Sequence, residues 1–296
     1  QARGFAKDVP PAILVQFFNG VGEAMIITRE PEYFIPPPNM LARVGRRFLF
    51  ACREAGRAMI LLSEALVNIR HAWSERSRNE IIVQMFVAGI KSLGVITVVA
   101  VFTGMILALQ TGIELRRFSQ EEYIGTAVMV SMLREMGPFM TGLILAACVG
   151  SAMAAQLGTM VVSEEIAALE VLSIDPVRYL VMPRLVAMMI MTPVLSFYTC
   201  VMGVIGGGIV GVTQVGVAWQ AYIDNAQRFA EVKDLYVGIF KAFLFGIIIT
   251  VVSCYSGFAT SQGAVGVGMA TRRAVIISFL IILVVGYFVT RLFYLS

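Results

Sequence analysis

The sequence predicts an all-α integral membrane protein with about five transmembrane helices, from its composition and its long apolar runs. Of its 296 residues, 58% are hydrophobic and only 14% are charged, whereas an average soluble domain carries roughly 25% charged residues. A chain of this size needs a wettable surface in water. The apolar excess is therefore expected to face lipid.

Long apolar runs place the transmembrane domain at residues 84–296, because a membrane-crossing helix needs roughly 20 mostly apolar residues. The predicted spans are residues 84–110, 125–160, 179–211, 236–260 and 272–294. The second span contains Gly137-Pro138, which is expected to kink or break the helix.

An amphipathic helix is predicted at residues 40–72, ahead of the spans. Apolar residues recur there at spacings of three and four, and the arginines lie mainly on other faces. A basic helix of this kind suits the membrane surface, where anionic headgroups attract arginine. A bundle helix of a small soluble domain is the alternative. Residues 1–39 are broken by prolines and form an N-terminal extension of unassigned role.

The distribution of Lys and Arg predicts the orientation of the spans, since these residues accumulate on the cytoplasmic side of membrane proteins. With a cytoplasmic N-terminus, fifteen of them fall on the cytoplasmic side and five on the other. Lys91, Arg134 and Lys241 lie in or at the edges of spans. The C-terminus is then expected on the side opposite to the N-terminus.

The sequence lacks the motifs of several enzyme classes. It has no GxxxxGK[ST] loop for nucleotide phosphates, a single histidine (His71) and no CxxC pair among its four cysteines. We therefore predict no catalytic residue, no metal site and no bound cofactor. A self-contained secondary transporter or channel is the alternative to a transport subunit, but that class normally shows intramembrane charges or two matching halves.

The loop at residues 159–178, which this orientation makes cytoplasmic, predicts a short amphipathic helix at about 162–173. Ser163 can cap it, and acidic residues in a first turn suit the helix dipole. The helix should end before Asp175-Pro176. It is either an ordinary connector or a docking helix for a cytoplasmic partner. Its candidate contact residues are Ser163, Glu164, Glu165, Ile166, Leu169 and Glu170.

Short motifs follow one another in a fixed order through the second span and this loop. They are REMGP at 134–138, GSA at 150–152, LGTM at 157–160, SEEI at 163–166 and ALEVL at 168–172. In order and spacing they resemble the signature of the MlaE/YrbE permeases, the membrane subunits of MCE-type ABC transporters. The resemblance covers about residues 40–296.

The resemblance implies a non-catalytic permease in a larger machine. Two permease copies would form a dimer, each served by a cytoplasmic ATPase subunit that binds the ATP, with an MCE-domain protein on the outer side. The machine would carry phospholipids between the inner membrane and another membrane, and nucleic acid has no part in it. The 162–173 helix would couple the permease to the ATPase.

The lipid path is predicted on one face of the first span. The face has the residues Val101, Met105, Leu109 and Gly112, at spacings of four, four and three. An apolar face with methionine suits acyl chains, and it suits helix packing equally well. The resemblance favours this face, together with the fifth span, as a lipid-binding wall.

Charged residues near the membrane are interpreted locally. Arg134 and Glu135, beside Gly137-Pro138, are expected to pair with each other at a helix kink. Lys241 is expected to extend towards the outer surface, with a role facing a lipid cavity as the alternative.

Four positions depart from the resemblance. Many relatives carry Arg, Glu, Arg and Asp where this chain has Cys148, Gln156, Met269 and Gly286. The loss of charges of both signs predicts a more apolar pocket or a different lipid.

Overall fold

The computed structural model describes residues 40–71, 75–228, 230–261 and 263–295. The chain divides into a unit of residues 1–54 and a unit of residues 55–296. The predicted extension at 1–39 and residue 72 of the predicted amphipathic helix lie outside the described residues. Within the described ranges the chain is helical and contains no strand.

Within the described part of the chain, five helical segments are long and apolar enough to cross a membrane, which confirms the predicted class. They are span 1 (Ser77–Arg117), span 2 (Glu121–Val162), span 3 (Val177–Val215), span 4 (Val232–Phe258) and span 5 (Gly263–Tyr294). Each contains the predicted run almost completely. The segments extend beyond those runs because polar residues at the helix ends continue the backbone hydrogen bonding without adding to the apolar signal.

The spans are built from regular helices joined by tighter or wider turns. The α-helices are α1 (Met40–Asn68), α2 (Glu75–Ala88), α3 (Ile90–Arg117), α4 (Ile124–Ser131), α5 (Gly137–Leu145), α6 (Ser151–Val162), α7 (Glu165–Val171), α8 (Met182–Val210), α9 (Trp219–Arg228), α10 (Val232–Phe258) and α11 (Gly263–Tyr294). The π-helical turns are Met132–Met136, Ala146–Gly150, Val177–Val181 and Gly211–Val215, and the 3₁₀ turns are Ile69–His71 and Glu121–Tyr123.

Successive spans run in opposite directions, so the bundle has two ends. We call the end that carries α9 and residues 118–123 the Trp219 end. The end that carries α7 is the Glu165 end. At the Trp219 end, the Tyr222 hydroxyl donates to the Val204 carbonyl oxygen at 3.0 Å. Burial raises the pKa of Tyr222, so its phenol remains a neutral donor.

Span 2 continues through Gly137-Pro138 and is not broken there. The π-helical turn Met132–Met136 comes directly before α5, so Pro138 falls in a first turn, where its missing N–H costs little. Such turns are a common cause of kinks in helices. The carbonyl oxygen of Met132 accepts a hydrogen bond from Cys200 Sγ at 3.3 Å. An added Cβ at Gly137 would overlap with this sulfur, so the contact with span 3 requires glycine.

Spans 1 and 3 approach each other through glycines. An added Cβ at Gly104 would overlap with the carbonyl oxygen of Gly203, and one at Gly206 would overlap with that of Val101. Small residues allow this close backbone contact between membrane helices, whose association depends on van der Waals packing. The contact fixes the face that span 1 turns towards the bundle.

The last turns of α1 pack against the spans in the unit of residues 55–296. Leu61 and Ala65 are buried in a cluster with Leu157, Val181 and Leu185. The exposed Met59 and Ile60 lie on another face of the same helix. The placement of α1 at the membrane surface stays a prediction.

Candidate functional site

Two ion pairs join span 2 to span 4 near the Trp219 end, and we call them, with their hydroxyl partners, the ionic cluster. In the first pair, Arg134 Nε lies 2.7 Å from Asp234 Oδ1. The Tyr294 hydroxyl donates to the same oxygen at 2.5 Å, and the guanidinium carbon of Arg134 lies 4.7 Å from the centre of the Tyr294 ring. Asp234 is fully buried. This pair therefore also holds the end of span 5.

The second pair is centred on Lys241, which is buried. Its ammonium donates to Glu135 Oε1 at 2.7 Å, to the Arg134 carbonyl oxygen at 2.8 Å and to Thr290 Oγ1 at 2.7 Å. The Thr290 hydroxyl has Glu135 Oε1 and the Gly286 carbonyl oxygen as acceptors. An ammonium has three N–H donors, and all three are used here. The burial of this charge is thereby compensated.

Two sequence predictions are wrong at this point. Arg134 and Glu135 do not pair with each other, because adjacent residues on a helix point in different directions. The π-helical turn instead aims both at spans 4 and 5. Lys241 does not extend outward, because Glu135 provides a carboxylate inside the bundle. Because the ammonium has an anionic partner inside the bundle, it does not need hydration at the membrane surface.

Sequence reasoning missed three members of the cluster: Asp234, Thr290 and Tyr294. One signal was available. Asp234 and Lys241 are seven residues apart and therefore share a face of span 4, and they match the adjacent Arg134 and Glu135 of span 2 in opposite sign. Thr290 and Tyr294, four residues apart on span 5, gave no comparable signal.

A cavity of about 350 Å³ lies beside the second pair, between spans 2, 4 and 5. Three of its polar side chains, Glu135, Lys241 and Thr290, are joined in one hydrogen-bonded network. The rest of its wall is mostly apolar. The complete lining is Glu135, Met136, Phe139, Lys241, Phe245, Ile282, Leu283, Gly286, Tyr287 and Thr290.

The predicted lipid face of span 1 does not reach this cavity. Gly112 is buried, and an added Cβ there would lie 2.9 Å from Val215 Cγ2. Val101 is in backbone contact with Gly206. Met105 packs against the buried cluster that contains Tyr222. Leu109 is 40% exposed on the outside of the bundle. Part of this face thus packs span 1 on its neighbours, and its role in lipid binding stays a prediction.

At the Glu165 end, α7 covers residues 165–171 and is shorter than the predicted 162–173. Ser163 does not cap it, contrary to the prediction. The Ser163 hydroxyl donates to the Thr159 carbonyl oxygen at 3.0 Å, because α6 continues to Val162 and Ser163 ends that helix. Glu164 occupies the position before α7, in a left-handed conformation with φ of 60°.

The helix α7 is open to its surroundings. Val171 is 84% exposed and Leu172 is 68% exposed. The remaining predicted contact residues are the exposed Glu164, Glu165 and Glu170 and the half-buried Ile166 and Leu169. The helix therefore presents both apolar and acidic groups.

The end of α7 is connected to α1. Ser173 has a left-handed φ of 58°, and the Ile174 amide donates back to the Leu169 carbonyl oxygen at 2.9 Å. Asp175 follows: its Oδ1 accepts from the Val177 amide at 2.9 Å, and its Oδ2 accepts from Asn68 Nδ2 at 3.4 Å. A displacement of α7 would therefore reach α1.

The four departing positions lie in different environments. Cys148 is exposed, Met269 is 43% exposed, and Gly286 is on the cavity wall. Gln156 Oε1 accepts from Arg184 Nη2 at 3.3 Å. Arg184 is buried, and its Nε and Nη1 have no hydrogen-bond partner among the described residues. The described residues also contain no group of three or more His, Cys, Asp or Glu that could hold a metal ion.

Among the described residues, five helices that are long and apolar enough to cross a membrane lie around a buried ionic cluster and a cavity, which defines a multi-pass membrane protein. The family model described as Permease MlaE matches residues 81–292. The chain therefore belongs to the MlaE permease family. It is a permease subunit of the ABC transporter class, and not the subunit that hydrolyses ATP.

Similar proteins come from bacteria and from a plant. A probable ABC transporter permease of Rickettsia prowazekii is 42% identical over 214 residues, covering 72% of this chain and 83% of that protein. The intermembrane phospholipid transport system permease MlaE of Haemophilus influenzae is 32% identical over 260 residues, covering 86% and 98%. The chloroplastic protein TRIGALACTOSYLDIACYLGLYCEROL 1 of Arabidopsis thaliana is 31% identical over 240 residues, covering 81% and 66%.

Proposed function

We propose that this chain is the permease subunit of an ABC transporter that moves phospholipids between the inner membrane and another membrane. The observation that carries the proposal is the similarity to the Haemophilus influenzae phospholipid permease, which extends over 98% of that protein. A separate ATPase subunit would bind and hydrolyse the ATP, and the permease itself would need no cofactor.

The cavity supports a substrate with hydrocarbon chains. Binding pockets are typically apolar with a few placed polar groups. Here Phe139 and Phe245 provide an apolar wall, and Glu135, Lys241 and Thr290 form a polar edge. A hydrocarbon chain of a lipid matches the apolar part of this wall.

The exposed helix α7 supports coupling to the ATPase. Val171 and Leu172 would be covered by a partner, because large exposed apolar groups next to charged ones are typical of interaction surfaces. Glu164, Glu165 and Glu170 would face basic side chains of the ATPase cleft. The hydrogen bond between Asn68 and Asp175 would pass movement at this end to α1.

The remaining parts of the proposal concern assembly and orientation. Two copies would form a dimer, and an MCE-domain protein would bind at the Trp219 end, where α9 presents Trp219. The excess of Lys and Arg supports a cytoplasmic N-terminus and Glu165 end, with the C-terminus on the opposite side. Nucleic acid would not be a partner.

The test is to purify the tagged chain in mild detergent and to analyse proteins and lipids by mass spectrometry. We expect an ABC ATPase, an MCE-domain protein and phospholipid to co-purify with it. A chain that purifies alone and without phospholipid would contradict the proposal and favour a self-contained secondary transporter.

A further inference from the structure

Gly286 occupies an unusual place on the cavity wall. It lies in the interior of α11, with Ile282 one turn before it and Thr290 one turn after it, and all three line the cavity. Along the cavity wall, this side of α11 therefore changes from apolar at Ile282 to polar at Thr290. Glycine is a poor helix former, so its presence at this position needs a reason.

Close packing does not provide that reason. An added Cβ at Gly286 would lie 3.5 Å from Phe245 Cζ, which is ordinary van der Waals contact. At Gly104 and Gly206, by contrast, a Cβ would overlap with a backbone carbonyl oxygen. Nor does Gly286 have the positive φ that favours glycine. What the missing side chain leaves is open space in the cavity.

The polar edge formed by Glu135, Lys241 and Thr290 has no donor left for an anion, and the other hydroxyl of the lining belongs to Tyr287, which is 62% exposed. The three N–H groups of Lys241 are used by Glu135, the Arg134 carbonyl oxygen and Thr290. The one hydroxyl hydrogen of Thr290 goes to Glu135 or to the Gly286 carbonyl oxygen. The Glu135 side chain is 42% exposed and would repel a phosphate. The space beside Gly286 therefore suits hydrocarbon better than a phosphate group.

We propose that Gly286 is a specificity-determining residue, whose missing side chain makes room for the end of one hydrocarbon chain of the transported lipid. This inference rests on the proposed function. The chain would lie against Phe139, Phe245 and Ile282, and the phosphate would stay outside the cavity. A cavity of about 350 Å³ is near the lower limit of small-molecule pockets, about 300–1,000 Å³, so it would hold part of a lipid rather than all of it.

The test uses two photoreactive phospholipids, one with a diazirine at the end of an acyl chain and one with it in the headgroup. Each is incorporated with the full-length protein in nanodiscs, irradiated and mapped by peptide mass spectrometry. The variants are G286L, which fills the space, and G268L as the matched control. Gly268 lies on the same helix, is exposed and has nothing within 4 Å of an added Cβ.

We expect the chain-end probe to label cavity residues such as Phe245 and Ile282 in the wild type and in G268L. In G286L this labelling should fall about tenfold. The leucine side chain would exclude about two methylene groups of the acyl chain from the apolar cavity, and the lost free energy corresponds to about that factor in binding. The headgroup probe should not label these residues. If G286L does not fold, G286A, whose Cβ fits without overlap, should still lower the labelling about two- to threefold, the effect of excluding less than one methylene group.

The outcomes separate this inference from the proposed function. Unchanged labelling in G286L and G286A, or cavity labelling by the headgroup probe, would overturn the role of Gly286 while phospholipid still co-purifies with the protein. If neither probe labels any variant and no phospholipid co-purifies, the proposed function itself fails, and the inference fails with it.

Discussion

The two ends of the bundle differ in whether their charged residues are buried and paired or exposed. Towards the Trp219 end, Asp234 and Lys241 are buried and each has a partner of opposite charge on span 2. At the Glu165 end, Glu164 and Glu165 are exposed beside the exposed Val171. The first arrangement holds three spans together within one chain. The second leaves charged and apolar groups of α7 exposed, at the end where we propose that the ATPase binds.

The largest effect on folding is expected from E135L. It would leave the Lys241 ammonium buried among neutral acceptors, and removing one partner of a buried pair costs about 3–5 kcal/mol. Because Glu135 is 42% exposed, we expect the lower limit, about 3 kcal/mol. Denaturant unfolding in detergent micelles would measure the loss.

The double variant E135L/K241M is the control for this prediction. It removes both charges, and an apolar replacement of a buried pair is often neutral. The double variant should therefore be more stable than E135L alone. Equal stability of the two variants would show that the pair does not hold the spans together.

A smaller effect, of opposite sign, is expected from Q156E. It would give the buried Arg184 a carboxylate in place of the amide that now accepts at 3.3 Å. Charge-assisted hydrogen bonds are roughly twice as strong as neutral ones, so the free energy of unfolding should rise by about 1 kcal/mol. Q214E, an exposed position near the other end, is the matched control. A decrease in stability on Q156E would mean that the guanidinium does not lack an anion.

The smallest effect on folding is expected from E164K/E165K, since both side chains are exposed. The free energy of unfolding should change by less than about 0.5 kcal/mol. Co-purification of the ATPase should nevertheless be lost, because the acidic groups of α7 would be reversed. E121K/E122K reverses two adjacent glutamates at the Trp219 end and should leave the ATPase bound. Loss of the ATPase in both variants would remove the distinction between the ends.

The spans could be predicted from the sequence because hydropathy is a local property of about 20 residues. The ionic cluster could not, because Lys241 and Glu135 are separated by 106 positions in the chain. From the neighbouring residues alone, Glu135 is expected to pair with Arg134, and Lys241 is expected to extend to the surface. Pairing across spans depends on helix rotation, which the π-helical turn Met132–Met136 alters.

The helix at the Glu165 end shows a second limit of local reasoning. Ser163 fits the N-cap of α7 by residue type, but it lies between two helices and ends α6 instead. A serine between adjacent helices can end the first helix or cap the second. Which of the two it does depends on where the first helix ends. Similarly, the face from Val101 to Gly112 has the composition of a lipid wall and of a packing surface. Val101 and Gly112 contact span 3, whereas Leu109 is exposed, so composition alone does not separate the two roles.

We propose that this chain moves phospholipid with energy delivered at the Glu165 end. The most direct test reconstitutes the purified complex in liposomes and follows transfer of a fluorescent phospholipid with and without ATP. We expect ATP-dependent transfer that E164K/E165K abolishes and E121K/E122K preserves. Transfer that needs no ATP and is unaffected by E164K/E165K would contradict it.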